Sequence, residues 1–300
     1  MREPALIRML PDGCRLHLHD GPIDLVVEAK GLRENVSIAH EAAARRFVSI
    51  LDELCAELSL VRSPVTRDSR RPDGTIARSM HAAVLPYSEM CFITPMAAVA
   101  GSVAEAVLQS MIVAARLDRA YVNNGGDIAI HLSPGQSYRI GMVERPDRLS
   151  FFGSVEVSSD GVVRGIATSG WHGRSFSLGI ADAVTVLARC AAMADAAATI
   201  IANAVDLPGH AKVQRVPARS ISPDSDLGER PVTTFVGELS AEDIMYALDQ
   251  GAAVAEQLRS EGLIHSAALL LQGETRIVTM NDLITSVAGN CERHRSLAHA

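Results

Sequence analysis

Asp195 and Thr199 stand four residues apart in a run otherwise rich in Ala and Ile, from about Cys190 to Val205. Positions i and i+4 of a helix share a face, and this face continues to Asn203. Asp is a poor helix former and costly to bury, so Asp195 needs a partner there. A hard cation held by carboxylate, hydroxyl and ligand phosphates would serve, as Mg²⁺ commonly does. A loop N–H, or an ion pair with Arg174, would serve as well. Upstream, Asn124, Gly125, Gly126 and Asp127 form a glycine-rich turn after Asn123. Two glycines let backbone approach a ligand closely, with amides turned to phosphate oxygens. The same Asn-Gly pair is also a plain type I′ hairpin signal. Between these two stretches lies a polar loop with Thr168, Ser169, Gly170, Trp171, His172 and Arg174. Such a loop suits an anion, and Arg174 offers a forked charged donor. His172 and Asp182 are candidates for acid–base work. His172 is equally readable as a hydrogen-bonding loop residue. Trp171, the only tryptophan, can stack on a planar ring or close over the core.

The remaining pattern says what must position these groups. Two short strands, Arg15–His19 and Ile23–Ala29, flank Asp20-Gly21, a hairpin signal. His17 and His19 share one face of the first, with no third metal ligand in reach. Ser37 to about Leu60 has helical spacing at Phe47, Ile50, Leu51, Leu54 and Leu58. Arg62 to Gly74 is a loop by composition. Thr94-Pro95 opens an apolar helix to about Leu117, with Thr94 as N-cap. Glu105 either reaches solvent from that helix or points into the site. From Ala120 the period becomes two, giving successive strands with short connections that imply antiparallel neighbours. Val184–Ala188 is wholly apolar and expected to be central. The helix after it has no evident N-cap. Residues 206–231 read as a long polar connector, Ser240 starts another helix, and a hairpin turns at Gly273. The chain is expected to form one domain over 1–300, with a ragged tail at 286–300.

Nearly half of the 300 residues are hydrophobic and only 4% aromatic, so the core must be aliphatic. A net charge of −7 leaves no broad footprint for nucleic acid. The basic clusters Arg67–Arg71 and Arg293–Arg295 read as solvated loop and tail. Five cysteines without C-x-x-C spacing fit a reducing compartment. The N-terminal residues lack an apolar export region, and no run approaches about 18 uninterrupted apolar residues. A cytoplasmic, membrane-free protein is expected, and the apolar composition also suggests a homodimer.

Three motifs in order resemble the ApbE-like family, the fold of FAD:protein FMN transferases. They are the strand and Gly-Gly-Asp turn of Val122–Asp127, the Ala-Thr-Ser-Gly loop of Ala167–Gly170, and the Ala-Asp-x-x-x-Thr helix of Ala194–Thr199. The resemblance implies an α+β fold with a largely antiparallel sheet and packed helices. It implies FAD pyrophosphate near the glycine turn and Mg²⁺ near Asp195 and Thr199. The transferases carry a histidine followed by Asp-Pro and Thr-Gly before the apolar strand. Here Ser175–Asp182 stands instead, with Asp182 near the family aspartate. The Gly179–Val186 stretch is similar to a cytoplasmic branch of the group. The functions this implies are Mg²⁺-dependent binding of a flavin nucleotide, with transfer or hydrolysis of FAD to FMN. A non-catalytic flavin-binding accessory protein, or a small-molecule enzyme reusing the cleft through His172 and Asp182, is the alternative.

Overall fold

The computed structural model describes residues 4–145, 148–279 and 284–286. The cluster Arg293–Arg295, Cys291 and the tail from 287 lie outside these residues. Strands β1 (Leu6–Met9), β2 (Arg15–Asp20) and β3 (Ile23–Lys30) open the chain. Helices α1 (Arg33–Ala56), α2 (Leu58–Val61), α3 (Thr75–Val84), a 3₁₀ turn at Pro95–Ala98 and α4 (Val99–Ala114) follow. Next come β4 (Arg119–Asn124), β5 (Asp127–Leu132), β6 (Ser137–Arg145), β7 (Arg148–Ser158), β8 (Gly165–Ser169) and β9 (Ala183–Ala188). The last part holds α5 (Ala191–Ala204), β10 (Val213–Pro217), α6 (Ala218–Ile221), β11 (Pro231–Val236), α7 (Ala241–Ser260), β12 (Ser266–Leu271), β13 (Glu274–Val278) and β14 (Ile284–Ser286).

Nine strands form one sheet in the order β1-β2-β3-β4-β5-β8-β9-β12-β13, and each neighbouring pair is antiparallel. The fold is α+β, as the motifs implied. Each long excursion leaves one strand and returns beside it, so the helices between β3 and β4 and between β9 and β12 cover the same sheet. Where one face is covered, the strand alternates. In β3, Ile23, Leu25, Val27 and Ala29 point inward and their neighbours outward. β9 is buried along its whole length. Val184, Val186 and Ala188 meet the helices, while Leu187 joins Val155, Val157 and Ile130 against the smaller sheet β14-β7-β6. Cover on both faces is why β9 lacks alternation.

The run Pro95–Ala114 is 20 residues long and apolar enough to cross a membrane by length and composition. In this fold it packs against α1, α5, β4 and β5. The N-terminus of α5 is wedged between α4 and β8. A Cβ on Gly101 would lie 2.3 Å from the Ala191 carbonyl oxygen, and one on Gly165 would lie 2.0 Å from the Cys190 carbonyl carbon. Backbone cannot yield as a side chain end can. Gly101→Ala should therefore lower stability by about 1–3 kcal/mol, read as a drop in melting temperature.

Candidate functional site

Helices α3, α4 and α5 have no capping side chain at their own N-caps. Carboxylates from elsewhere take that role. Glu57 accepts from the Asp73 and Gly74 amides, each at 2.7 Å. Glu105 on α4 accepts from Ala192 N on α5 at 3.0 Å, and Asp195 on α5 accepts from Gly101 N on α4 at 2.9 Å. The last two cap each other's helices, where the helix dipole also favours negative charge. Glu105, partly exposed, is thus engaged at the α5 N-terminus and is not among the residues of the cleft described below. Glu105→Ala should cost about 0.5–2 kcal/mol, and Glu105→Gln should recover most of it in thermal melts. Cys190 sits beside Glu105, and burial pushes its thiol up to about 12. A raised thiol disfavours the thiolate that nucleophilic chemistry needs.

Reciprocal capping fixes Asp195 at the rim of a cleft of about 270 Å³. Its polar end holds Asp127, Ser169, Arg174, Asp195 and Thr199; its apolar wall includes Met96, Phe176 and Ile200. Asp127 comes from the first residue of β5, brought opposite α5 by the β4–β5 turn. Burial raises Asp127 well above the usual carboxylate range and the Asp195 charge adds to this, against the Thr168 amide and Arg174. Burial also pushes Asp195 up, to about 7, with Glu105 adding to the push and the Gly101 and Ala100 amides opposing it. Two carboxylates therefore compete for protons at one place, with Arg174 as the nearby cation.

Asp127, Ser169, Arg174, Asp195 and Thr199, all candidate site residues from the sequence, line this cleft. The others stand behind it. Gly125 and Gly126 have φ of +68° and +116°, as a tight turn requires. The Gly126 amide donates to Asn123 Oδ1 at 2.8 Å, so it is occupied within the turn. Gly125 faces Arg174, whose guanidinium stands where a Cβ would be. Asn124 is buried and donates to Ala100 O at 3.2 Å. Thr168 pairs its hydroxyl with Thr185 at 2.9 Å, and Gly170 makes room for the Asp182 carbonyl. His172 and Asp182 are paired with each other at 3.2 Å and are not among the cleft residues. Asp182 also accepts from Trp171 Nε1 at 3.2 Å and from Gln272 N at 2.5 Å.

Asn203, which continues the Asp195–Thr199 face, also lines the cleft, whereas Thr94, Asp226 and Leu227 were not legible as site residues. Thr94 has N-cap backbone angles but makes no cap hydrogen bond; its hydroxyl donates to Asp226 instead. Asp226 and Leu227 come from the polar connector. Asn203 holds Leu178 N at 2.9 Å, which sets the course of the Ser175–Leu178 wall. Away from the cleft, His17 and His19 both reach Asp24, at 3.1 and 3.2 Å. In the basic cluster, Arg67 pairs with Glu89 and Arg70 with Asp73.

The family model described as AbpE bacteria matches residues 7–277, and the chain belongs to this family. Among curated relatives, a UPF0280 protein of Methanothrix thermoacetophila is 35% identical over 150 residues, 50% of this chain and 59% of that one. A UPF0280 protein of Methanopyrus kandleri is 34% identical over 185 residues, 60% of this chain and 69% of that one. The match spans 63% of the Archaeoglobus fulgidus relative. Among solved structures, the apo flavinyl transferase ApbE of Pseudomonas stutzeri is 12% identical, with a TM-score of 0.43 over 95% of each chain. The ApbE protein of Thermotoga maritima is 16% identical, with a TM-score of 0.45 over 91% of this chain and 96% of that one.

Proposed function

We propose that the cleft binds a flavin nucleotide together with Mg²⁺, and that FAD is the nucleotide whose FMN half is transferred or released. The observation that carries this reading is the facing of Asp127 and Asp195, both partly buried, in a cleft that also holds Thr199 and the exposed Arg174. Among the described residues no group of three His, Cys, Asp or Glu could hold a metal by itself. The donor set is two carboxylates and a hydroxyl, all hard oxygens, which is the set that takes Mg²⁺ when phosphate oxygens and water complete it. Asp127, Asp195 and Thr199 would hold the ion. Bound there, it would polarise a pyrophosphate and offset charge building on the leaving oxygen. Arg174 and the Ser169 hydroxyl bind phosphate oxygens from the chain itself. Met96, Phe176 and Ile200 exclude water from the ligand's apolar part. The flavin identity rests on family membership and on the three motifs.

A second reading, a flavin-binding accessory protein without turnover, is favoured by one observation. The acid–base candidates His172 and Asp182 are engaged outside the cleft. Incubating the purified protein with FAD, with and without MgCl₂, decides between them. Mg²⁺-dependent appearance of FMN, free or protein-linked, supports transfer or hydrolysis. Flavin fluorescence quenching without FMN formation supports the accessory role. No quenching and no product removes both.

A further inference from the structure

The nine-stranded sheet ends at β1 and β13, and among the described residues neither has a further partner strand. An open edge presents unpaired amides and carbonyls, and chains commonly guard it with charge or Pro. β13 is guarded: it carries Glu274 and Arg276, and Arg276 pairs with Asp249 at 3.0 Å. β1 is apolar, with Leu6, Ile7 and Met9 at 44%, 41% and 46% exposure. Its one charge, Arg8, is turned back over its own sheet, where Nε donates to His17 Nδ1 at 3.2 Å.

The ladder fixes which groups point outward. β1 pairs antiparallel with β2, from Leu6 opposite His19 to Met9 opposite Leu16, and Leu10 N donates to Arg15 O at 2.8 Å. Bonded and non-bonded pairs alternate in such a ladder, so Leu6, Arg8 and Leu10 bond to β2. The backbone groups of Ala5, Ile7 and Met9 point away from the sheet. Side chains follow the same alternation. Ile7 lies opposite Leu18, itself opposite Leu25, and Met9 lies opposite Leu16, itself opposite Val27. Those four inner residues belong to the main core, and α1 packs on their strands. Ile7 and Met9 extend that apolar face to the edge strand, where they stand exposed.

We propose that β1 is the docking edge for a second copy of this chain, which adds its own β1 antiparallel about a two-fold axis at Ile7. The edge is complementary to itself in that register. Ile7 meets its own counterpart, and Ala5 meets the partner's Met9, all as hydrogen-bonded pairs. Pro11, next in the outward series, has no N–H and ends the ladder. Leu6 stands beside the partner's Arg8, whose stem packs on it. A register centred on Arg8 sets two like charges directly opposite, in the more closely spaced kind of pair. Two β1 edges close on each other, whereas β1 on β13 runs on as an open chain of copies. The ladder is short. Stable interfaces bury roughly 1,200–2,000 Å², more than a single short strand supplies, so the dimer is expected to be weak, with a Kd of about 10–100 μM.

Sedimentation equilibrium, at concentrations from about tenfold below to about tenfold above that Kd, tests the dimer. Ile7→Lys sets two like charges on the two-fold axis and is expected to raise the Kd about tenfold or more. Ile7→Pro removes an outward amide that the β1–β2 ladder does not use, and is expected to do the same. Thermal melts show which variant is folded, and either one decides the matter. The register is read by cross-linking. Paired residues about 5.5 Å apart at Cα suit a disulfide, so Ile7→Cys is expected to link two copies under mild oxidation and Leu6→Cys is not. Peptide mapping separates this link from any made by the exposed Cys14, Cys55 and Cys91. A wild type that stays monomeric throughout leaves the edge to a strand of another protein and overturns the proposal. So does a dimer undiminished in the folded variants, or a link at Leu6→Cys in place of Ile7→Cys.

Discussion

Asn in place of Asp195 should abolish Mg²⁺-dependent ligand binding and flatten the pH dependence of stability in the metal-free protein. Folding raises Asp195 from 3.8 to about 7, chiefly through burial, and raises Asp127 in the same direction. The folded protein therefore keeps protons that the unfolded chain releases above about pH 4. A raised carboxyl pKa gives stability that is fully present below the unfolded value. It drains away as pH rises and is lost once pH passes the folded value near 7. This is the reverse of a salt-bridged carboxylate. The loss is on the order of a few kcal/mol, at about 1.4 kcal/mol per tenfold change in proton affinity.

Thermal melts in EDTA from about pH 4.5 to about pH 8 should show the wild type losing stability toward neutrality. MgCl₂ should restore it, because a cation stabilises the ionised carboxylates. Asn is the informative substitution. Its amide oxygen can still accept from Gly101 N, whereas Ala would strip that amide of its acceptor at about 1–3 kcal/mol. An Asn variant that keeps the wild-type response to MgCl₂ would show that Asp195 is a helix cap and nothing more.

The second large effect concerns Asp182. Asp182→Ala should cost about 3–5 kcal/mol, the usual result of removing one partner from a buried ionic hydrogen-bonded group. Its side chain is 9% exposed, and its two oxygens serve Trp171 Nε1, His172 Nε2 and Gln272 N. Gln272 is the one non-glycine among the described residues with positive φ, at 46°, and the bond to its amide helps hold that turn. Through Trp171 and His172 the same carboxylate pins the loop that carries Ser169 and Arg174. A melting temperature well below wild type, with weakened phosphate binding, is the expected outcome. An Asp182→Asn protein that melts normally and binds normally but has lost turnover would assign Asp182 to the chemistry instead.

Local patterns carried much of the fold. Asp20-Gly21 and Gly273 turn hairpins where their residue types demand. Ser240 accepts from Asp243 N at 3.2 Å and starts α7. The apolar run of β9 is central. The four-residue spacing of Asp195 and Thr199 does put both in one cleft. These features depend on neighbours within about one turn or one hairpin, so composition and period reveal them. The glycine turn was readable as a turn, but not the use of its Gly126 amide by Asn123.

What the chain order could not disclose is which distant groups meet. Glu105 caps α5 from 87 residues away, and Asp195 caps α4 from 94. Thr94 finds Asp226 across 132 residues. His172 and Asp182 pair away from the cleft because the β12–β13 turn delivers Gln272 N to that carboxylate. A buried polar group must find a partner somewhere, so the sequence marks the need at Asp195 and at the bare N-terminus of α5. Only close packing of α4, α5 and the polar connector, set by contacts such as Gly101 against Ala191, decides which partner meets it.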